Sequence, residues 1–168
     1  MKKIYQFVMI MAIAVSFAAC TGDFDNELVR DRRLEVPVTF TGATTYGFNP
    51  FYTVPISGSG AITFTLSIPG DAGKSIKNLK KITAGGTGLT PGSLYDATAA
   101  YAANVSVDGS SVTFTTTLTE FNAKMAAANR IPATIAAGTF VERAFFFLIV
   151  LDDNSEIVPV QCRLRFVP

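Results

Sequence analysis

Residues 139–167, TFVERAFFFLIVLDDNSEIVPVQCRLRFV, decide the fold of this 168-residue chain. Residues 144–151, AFFFLIVL, are apolar without interruption, the pattern of a central strand covered on both faces. A strand inserted alone into lipid would leave its backbone groups unpaired, so a protein interior is the reading for this run. After Asp152-Asp153-Asn154-Ser155, residues 156–167 return as the partner strand of a hairpin. From Val160 to Phe166 the alternation is strict. It places Cys162 on the apolar side as a small core residue and turns Arg163 and Arg165 to the opposite face.

Upstream, residue usage from Leu34 onward is Thr, Val, Phe, Ile, Gly and Ser broken by turn residues, which points to an all-β domain. Residues 34–41 alternate at period two, with Pro37 marking an edge or a bulge. Residues 51–56 form a second short edge piece carrying Pro55. Residues 61–68 are a cleaner strand, with Ile62, Phe64, Leu66 and Ile68 inward, ended by Pro69-Gly70-Asp71-Ala72-Gly73. In residues 75–84, Ile76, Leu79 and Ile82 recur at spacing three, and the stretch reads as a strand preceded by a helical turn. Residues 94–103 are too Ala-rich to assign. Residues 104–118 read as a hairpin around Asp108-Gly109-Ser110, since Asp-Gly supplies the positive φ of a tight turn. Thr119 stands as a cap for a short helix to Ala127, with Phe121 and Met125 one turn apart, crossing between sheets. About seven strands, one crossover helix and a C-terminal hairpin predict a single immunoglobulin-like or fibronectin-like β-sandwich over residues 34–168. The Cys–Trp–Cys core of antibody domains is absent, because the chain has no Trp and only one candidate core Cys, Cys162.

The N-terminus carries an address. Lys2 and Lys3 precede an apolar run from Ile4 to Phe17, and Ala18-Ala19 supply small residues before Cys20, so residues 1–19 read as a cleaved signal peptide. The run is too short for a membrane span of roughly 20 apolar residues. Phe17-Ala18-Ala19-Cys20 resembles a bacterial lipobox, which implies acylation of Cys20 and a membrane partner held through lipid. Stable anchoring takes two or three chains at roughly 0.8 kcal/mol per buried methylene. Residues 20–33 then read as a charged, flexible tether. Asp23, Asp25 and Glu27 near its start resemble the surface-export signal of Bacteroidota lipoproteins. The resemblance implies a small outer-membrane lipoprotein facing the cell exterior, with the periplasmic face as the alternative.

Charge and composition narrow the chemistry. The sequence has 14 basic and 13 acidic side chains, and cleavage removes Lys2 and Lys3. With Lys74, Lys77, Lys80 and Lys81 as the one local basic excess, nucleic acid is not an expected partner. The absence of histidine removes Ser-His-Asp, Cys-His and histidine-bound zinc chemistry. No motif groups two carboxylates as a glycosidase requires, so no catalytic residues and no cofactor are expected, and a small glycoside-active enzyme stands as a remote alternative. Asp152, Asp153 and Glu156 offer oxygens for calcium, but their spacing fails the EF-hand loop and a hairpin turn is the preferred reading. Gly85-Gly86-Thr87-Gly88 lacks the Lys-Ser or Lys-Thr of a phosphate loop and reads as a flexible loop.

Tyr46, Phe48, Phe51 and Tyr52, set among Gly47, Asn49 and Pro50, are the candidate ligand-binding cluster, since loop aromatics stack on sugars or anchor proteins. The competing reading is that they plug an open end of the sandwich. The expected function is a non-catalytic, lipid-anchored binding or accessory module of an outer-membrane assembly, with a protein or glycan ligand. The alternative is a structural subunit that self-associates through sheet edges at residues 34–41 and 51–56.

Overall fold

The computed structural model describes residues 36–168 except 47, 48, 59, 98 and 99. Cys20 and the leader, the tether, and Phe48 lie outside the described residues. The strands are β1 (Thr39–Phe40), β2 (Phe51–Pro55), β3 (Ala61–Ser67), β4 (Ile76–Gly85), β5 (Ala102–Gly109), β6 (Ser111–Thr117), β7 (Val141–Leu151), β8 (Glu156–Ile157) and β9 (Cys162–Val167), with helix α1 (Leu118–Lys124) between β6 and β7. Three strands form one sheet in the order β1-β3-β6. A second has the order β2-β9-β7-β4-β5, with β8 paired to β7. All pairings are antiparallel except β2 with β9. Connections that pass from one sheet to the other make this an all-β sandwich with the strand order of the immunoglobulin architecture.

The alternating strands dictate the core. Ile62, Phe64 and Leu66 of β3 are fully buried and face Phe145, Phe147 and Ile149 of β7. Phe64 is the hub. Its ring lies 4.7 Å from Phe145, 5.3 Å from Phe147 and 5.6 Å from Tyr52, so both sheets meet on one aromatic side chain. Strand β7 is central in its six-stranded sheet, between β9 and β4, as its unbroken apolar run requires. Phe145, Phe147, Ile149 and Leu151 enter the main core, whereas Phe146 and Leu148 pack outward against Leu94, Leu89 and Val158. Cys162 is fully buried, and burial pushes its thiol well above the usual cysteine range.

The period of three in β4 has a physical cause. Its pairing with β7 jumps from Ile76 to Asn78 and again from Leu79 to Lys81, so Lys77 and Lys80 are extra, bulged residues. Each bulge adds one residue to a two-residue repeat, which keeps Ile76, Leu79 and Ile82 on the inner face. The helical turn expected at the start of residues 75–84 does not form, since the strand runs from Ile76 to Gly85; a separate 3-10 turn at Gly70–Ala72 lies in the Pro69–Gly73 turn before it.

Three further expectations are corrected. Residues 104–118 are not a hairpin: β5 pairs with β4 and β6 with β3, and Gly109, at φ 116°, turns the chain from one sheet to the other. Asp-Gly marked the bend correctly but not the partner. The helix cap is Thr117 rather than Thr119, since the Thr117 hydroxyl accepts the Glu120 N–H at 3.1 Å. Helix α1 then buries Phe121 and Met125 against the end of the core. The first predicted strand is also shorter among the described residues, pairing only Thr39 and Phe40 after Pro37.

Candidate binding surface

The predicted aromatic cluster does not form one platform. Phe51 and Tyr52 are successive residues of β2, so they leave it on opposite faces. Tyr52 points between the sheets, where its hydroxyl donates to the Thr41 carbonyl at 2.8 Å and its ring meets Phe64 edge-on. Partial burial raises its phenol above the ordinary value. Tyr52 is thus a tie between sheets. Tyr46 is 89% exposed, on the loop whose Thr44 exchanges backbone hydrogen bonds with Phe51 at 2.8 and 2.9 Å.

Phe51 belongs instead to the outer face of the six-stranded sheet. There the Arg165 guanidinium lies 3.7 Å from the centre of the Phe51 ring and 4.7 Å from that of Phe140, held between two aromatic faces. Register explains the assembly. Phe51 is paired with Arg163, and Arg165 with Glu142, so β2, β9 and β7 set these side chains in adjoining rows. Glu142, with its side chain 14% exposed, accepts from Arg165 Nε at 2.7 Å and Arg163 Nη1 at 3.1 Å. Arg163 Nε donates in turn to Gln161 Oε1 at 2.9 Å. One carboxylate between two guanidiniums fixes both arginines by charge-assisted bonds. Phe140 remains 51% exposed above this fixed base.

Over the middle of β4 and β7 that outer face is covered. Thr83 and Lys81 of β4 hold the 86–96 loop down: Thr83 Oγ1 lies 2.8 Å from Ser93 Oγ, and Lys81 Nζ donates to the Ser93 and Asp96 carbonyls at 3.1 and 2.7 Å. Leu89 and Leu94 thereby close over Phe146 and Leu148. The glycine-rich run is a turn that lays a lid on the sheet.

The acidic turn has its own cations. Lys74 pairs with Asp153, Lys77 Nζ donates to Asn154 Oδ1 at 2.6 Å, and Lys80 Nζ lies 2.5 Å from Glu156. Asp152 accepts from Ser75 Oγ at 3.0 Å. The bulged lysines of β4 therefore match the turn beyond β7, which accounts for the local basic excess. Among the described residues, no three His, Cys, Asp or Glu side chains gather as a metal-holding group.

A cleft of about 240 Å³ lies between the 3-10 turn Pro91–Leu94 and the end of α1, with Tyr101, Lys124 and Met125 in its wall. Its polar groups are engaged. Thr116 Oγ1 donates to Glu120 at 2.9 Å and lies 2.6 Å from the Tyr101 hydroxyl, which therefore donates to Thr116. Lys124 Nζ meets Glu120 at 2.8 Å and the Tyr101 carbonyl at 3.0 Å. Local sequence reading missed the Phe51–Arg165–Phe140 stack because its members come from three separate segments. The usable signal was the outward alternation of Arg163 and Arg165 opposite an apolar β7.

Among the described residues no helix is long and apolar enough to cross a membrane. Comparison with protein families, with characterised proteins and with solved structures finds no match to this chain.

Proposed function

We propose that this chain is a non-catalytic, lipid-anchored module of the cell envelope that binds a protein or glycan through the open half of its six-stranded sheet. The observation that carries the reading is the stack of Arg165 between Phe51 and Phe140, with Phe140 half exposed on a base fixed by Glu142. Rigid aromatic and arginine side chains lose little conformational freedom when they dock, which is why they dominate binding hot spots. The arginine presents donors to an acceptor-rich ligand, and Phe140 presents a face for a sugar ring or an apolar side chain.

The anchor rests on the sequence. Acylation at Cys20 holds the module to the outer membrane, and Asp23, Asp25 and Glu27 favour the exterior face. A tether over residues 20–33 reaches only some tens of ångströms at about 3.3–3.6 Å per residue, so the ligand is a neighbour in the envelope. Two experiments test the two halves of the reading. Cys20→Ser is expected to move the protein from the detergent-extracted membrane fraction to the soluble one, and retention in the membrane overturns the anchor. Glycan-array and envelope pull-down binding by the wild type is expected to fall at least tenfold in Phe140→Ser, corresponding to about 1.4 kcal/mol. Unchanged binding overturns the site.

A further inference from the structure

Among the described residues five strands have a free edge, β1, β2, β5, β6 and β8, and four of them are blunted. Strands β1 and β8 are two residues long. Strand β2 ends in Pro55, and its first residue is already bridged by Thr44 of its own loop. Strand β5 carries Asn104 at φ 54°, which breaks its extension at the third of its eight residues. Short edges, prolines and bulges are the devices that stop sheets from adding strands.

Strand β6 has none of them. Its seven residues, SVTFTTT, contain no charge, proline or glycine. Ser110 O accepts the Ile68 N–H at 2.8 Å and the Leu118 N–H donates to Gly60 O at 2.8 Å, so even-numbered residues direct their backbone groups to β3. By alternation the N–H and C=O groups of Ser111, Thr113 and Thr115 point away from the sheet. The adjoining outward rows are also uncharged hydroxyls, with Thr63 opposite Thr115 and Thr65 opposite Thr113 on β3.

We infer that β6 is a self-association edge, on which β6 of a second copy pairs antiparallel about a two-fold axis through Phe114. The strand is self-complementary in that register. Thr113 of each copy faces Thr115 of the other in hydrogen-bonded pairs, so the free amides and carbonyls of both strands satisfy one another. Phe114 meets its own counterpart at the close, non-hydrogen-bonded position, where aromatic cross-strand pairs are favourable. Its remaining 9% exposure is closed by the contact. Uncharged outward rows on both copies bring no repulsion. Two three-stranded sheets become one of six strands, and the Phe140 surface on the other sheet is left open. Edge pairing of this size buries little area and gives a micromolar, reversible dimer.

The test is sedimentation velocity of the full chain in detergent at about 1–100 μM. Wild type is expected to pass from monomer to dimer across that range, and a monomer throughout overturns the inference, including the case in which the edge accepts a different protein instead. Thr113→Lys with Thr115→Lys sets like charges opposite each other twice and is expected to weaken dimerisation at least about tenfold. Thr113→Lys with Thr115→Glu sets opposite charges against each other in the same register and is expected to retain the dimer. Both variants change the same two exposed residues, so a fault in folding would affect both. A Lys–Lys variant that dimerises like wild type, or a Lys–Glu variant that dissociates as fully as Lys–Lys, overturns the register.

Discussion

Replacing Glu142 with alanine removes the group that fixes both arginines of the proposed surface. The cost follows from the contacts. Two charge-assisted hydrogen bonds, at 2.7 and 3.1 Å, are lost, and each is worth roughly 1.5–3 kcal/mol when shielded from solvent. Arg163 and Arg165 are 28% and 33% exposed, so solvent screening lowers each bond to about 1 kcal/mol. Two guanidiniums two residues apart on one face of β9 are then left without a counter-charge. The expected total is about 2–3 kcal/mol. A domain of this size loses roughly 3–5 °C in Tm per kcal/mol, so the transition should fall by about 10 °C. Glu142→Gln should recover only part of the loss, because an amide accepts from one arginine while turning donors toward the other. Urea melts at neutral pH measure both variants. A loss under about 0.5 kcal/mol for alanine would refute the argument that this carboxylate organises the face.

Three further outcomes follow from other parts of the molecule. Thr117→Ala should cost about 1 kcal/mol in urea melts and Thr119→Ala almost nothing, because only Thr117 caps α1; equal costs would place the cap elsewhere. Lys124, and after it Thr116, hold the Glu120 carboxyl below its ordinary value. Its contribution to stability is therefore full above the unfolded carboxylate pKa and is lost as pH falls through the lower folded value, so Glu120→Gln should flatten the acid limb of stability against pH, and an unchanged slope would contradict the pairing. Cys162, buried and with its thiol pushed upward, should be alkylated at pH 8 at least about a hundredfold more slowly in the native protein than in urea, and comparable rates would show an open sandwich.

The parts of the fold legible in the sequence are those in which a single strand carries its own instruction. Alternation in β3 and β9 and the unbroken run in β7 assign inward faces without knowledge of the partner, because side-chain direction along a strand has a period of two. The misreadings arose where partners mattered. Spacing three in β4 resembled a helical turn until the bulges at Lys77 and Lys80 were set against β7. Asp108-Gly109 specified a bend, and bends serve sheet corners as well as hairpins. The surface was partly legible: Phe51 belongs to it, but Tyr52 serves the core. Phe140 and Arg165 lie far from Phe51 in sequence, and only the parallel pairing of β2 with β9 brings them together.

The central claim is that the Phe51–Arg165–Phe140 face meets a neighbour in the envelope. A photo-reactive amino acid at position 140, in cells expressing the acylated protein, tests it most directly, with the same probe at exposed Asp71 as the reference. The account predicts a discrete cross-linked species, carrying a protein or a glycan, from position 140 and not from position 71. No adduct at 140, or the same adducts from both positions, would contradict it.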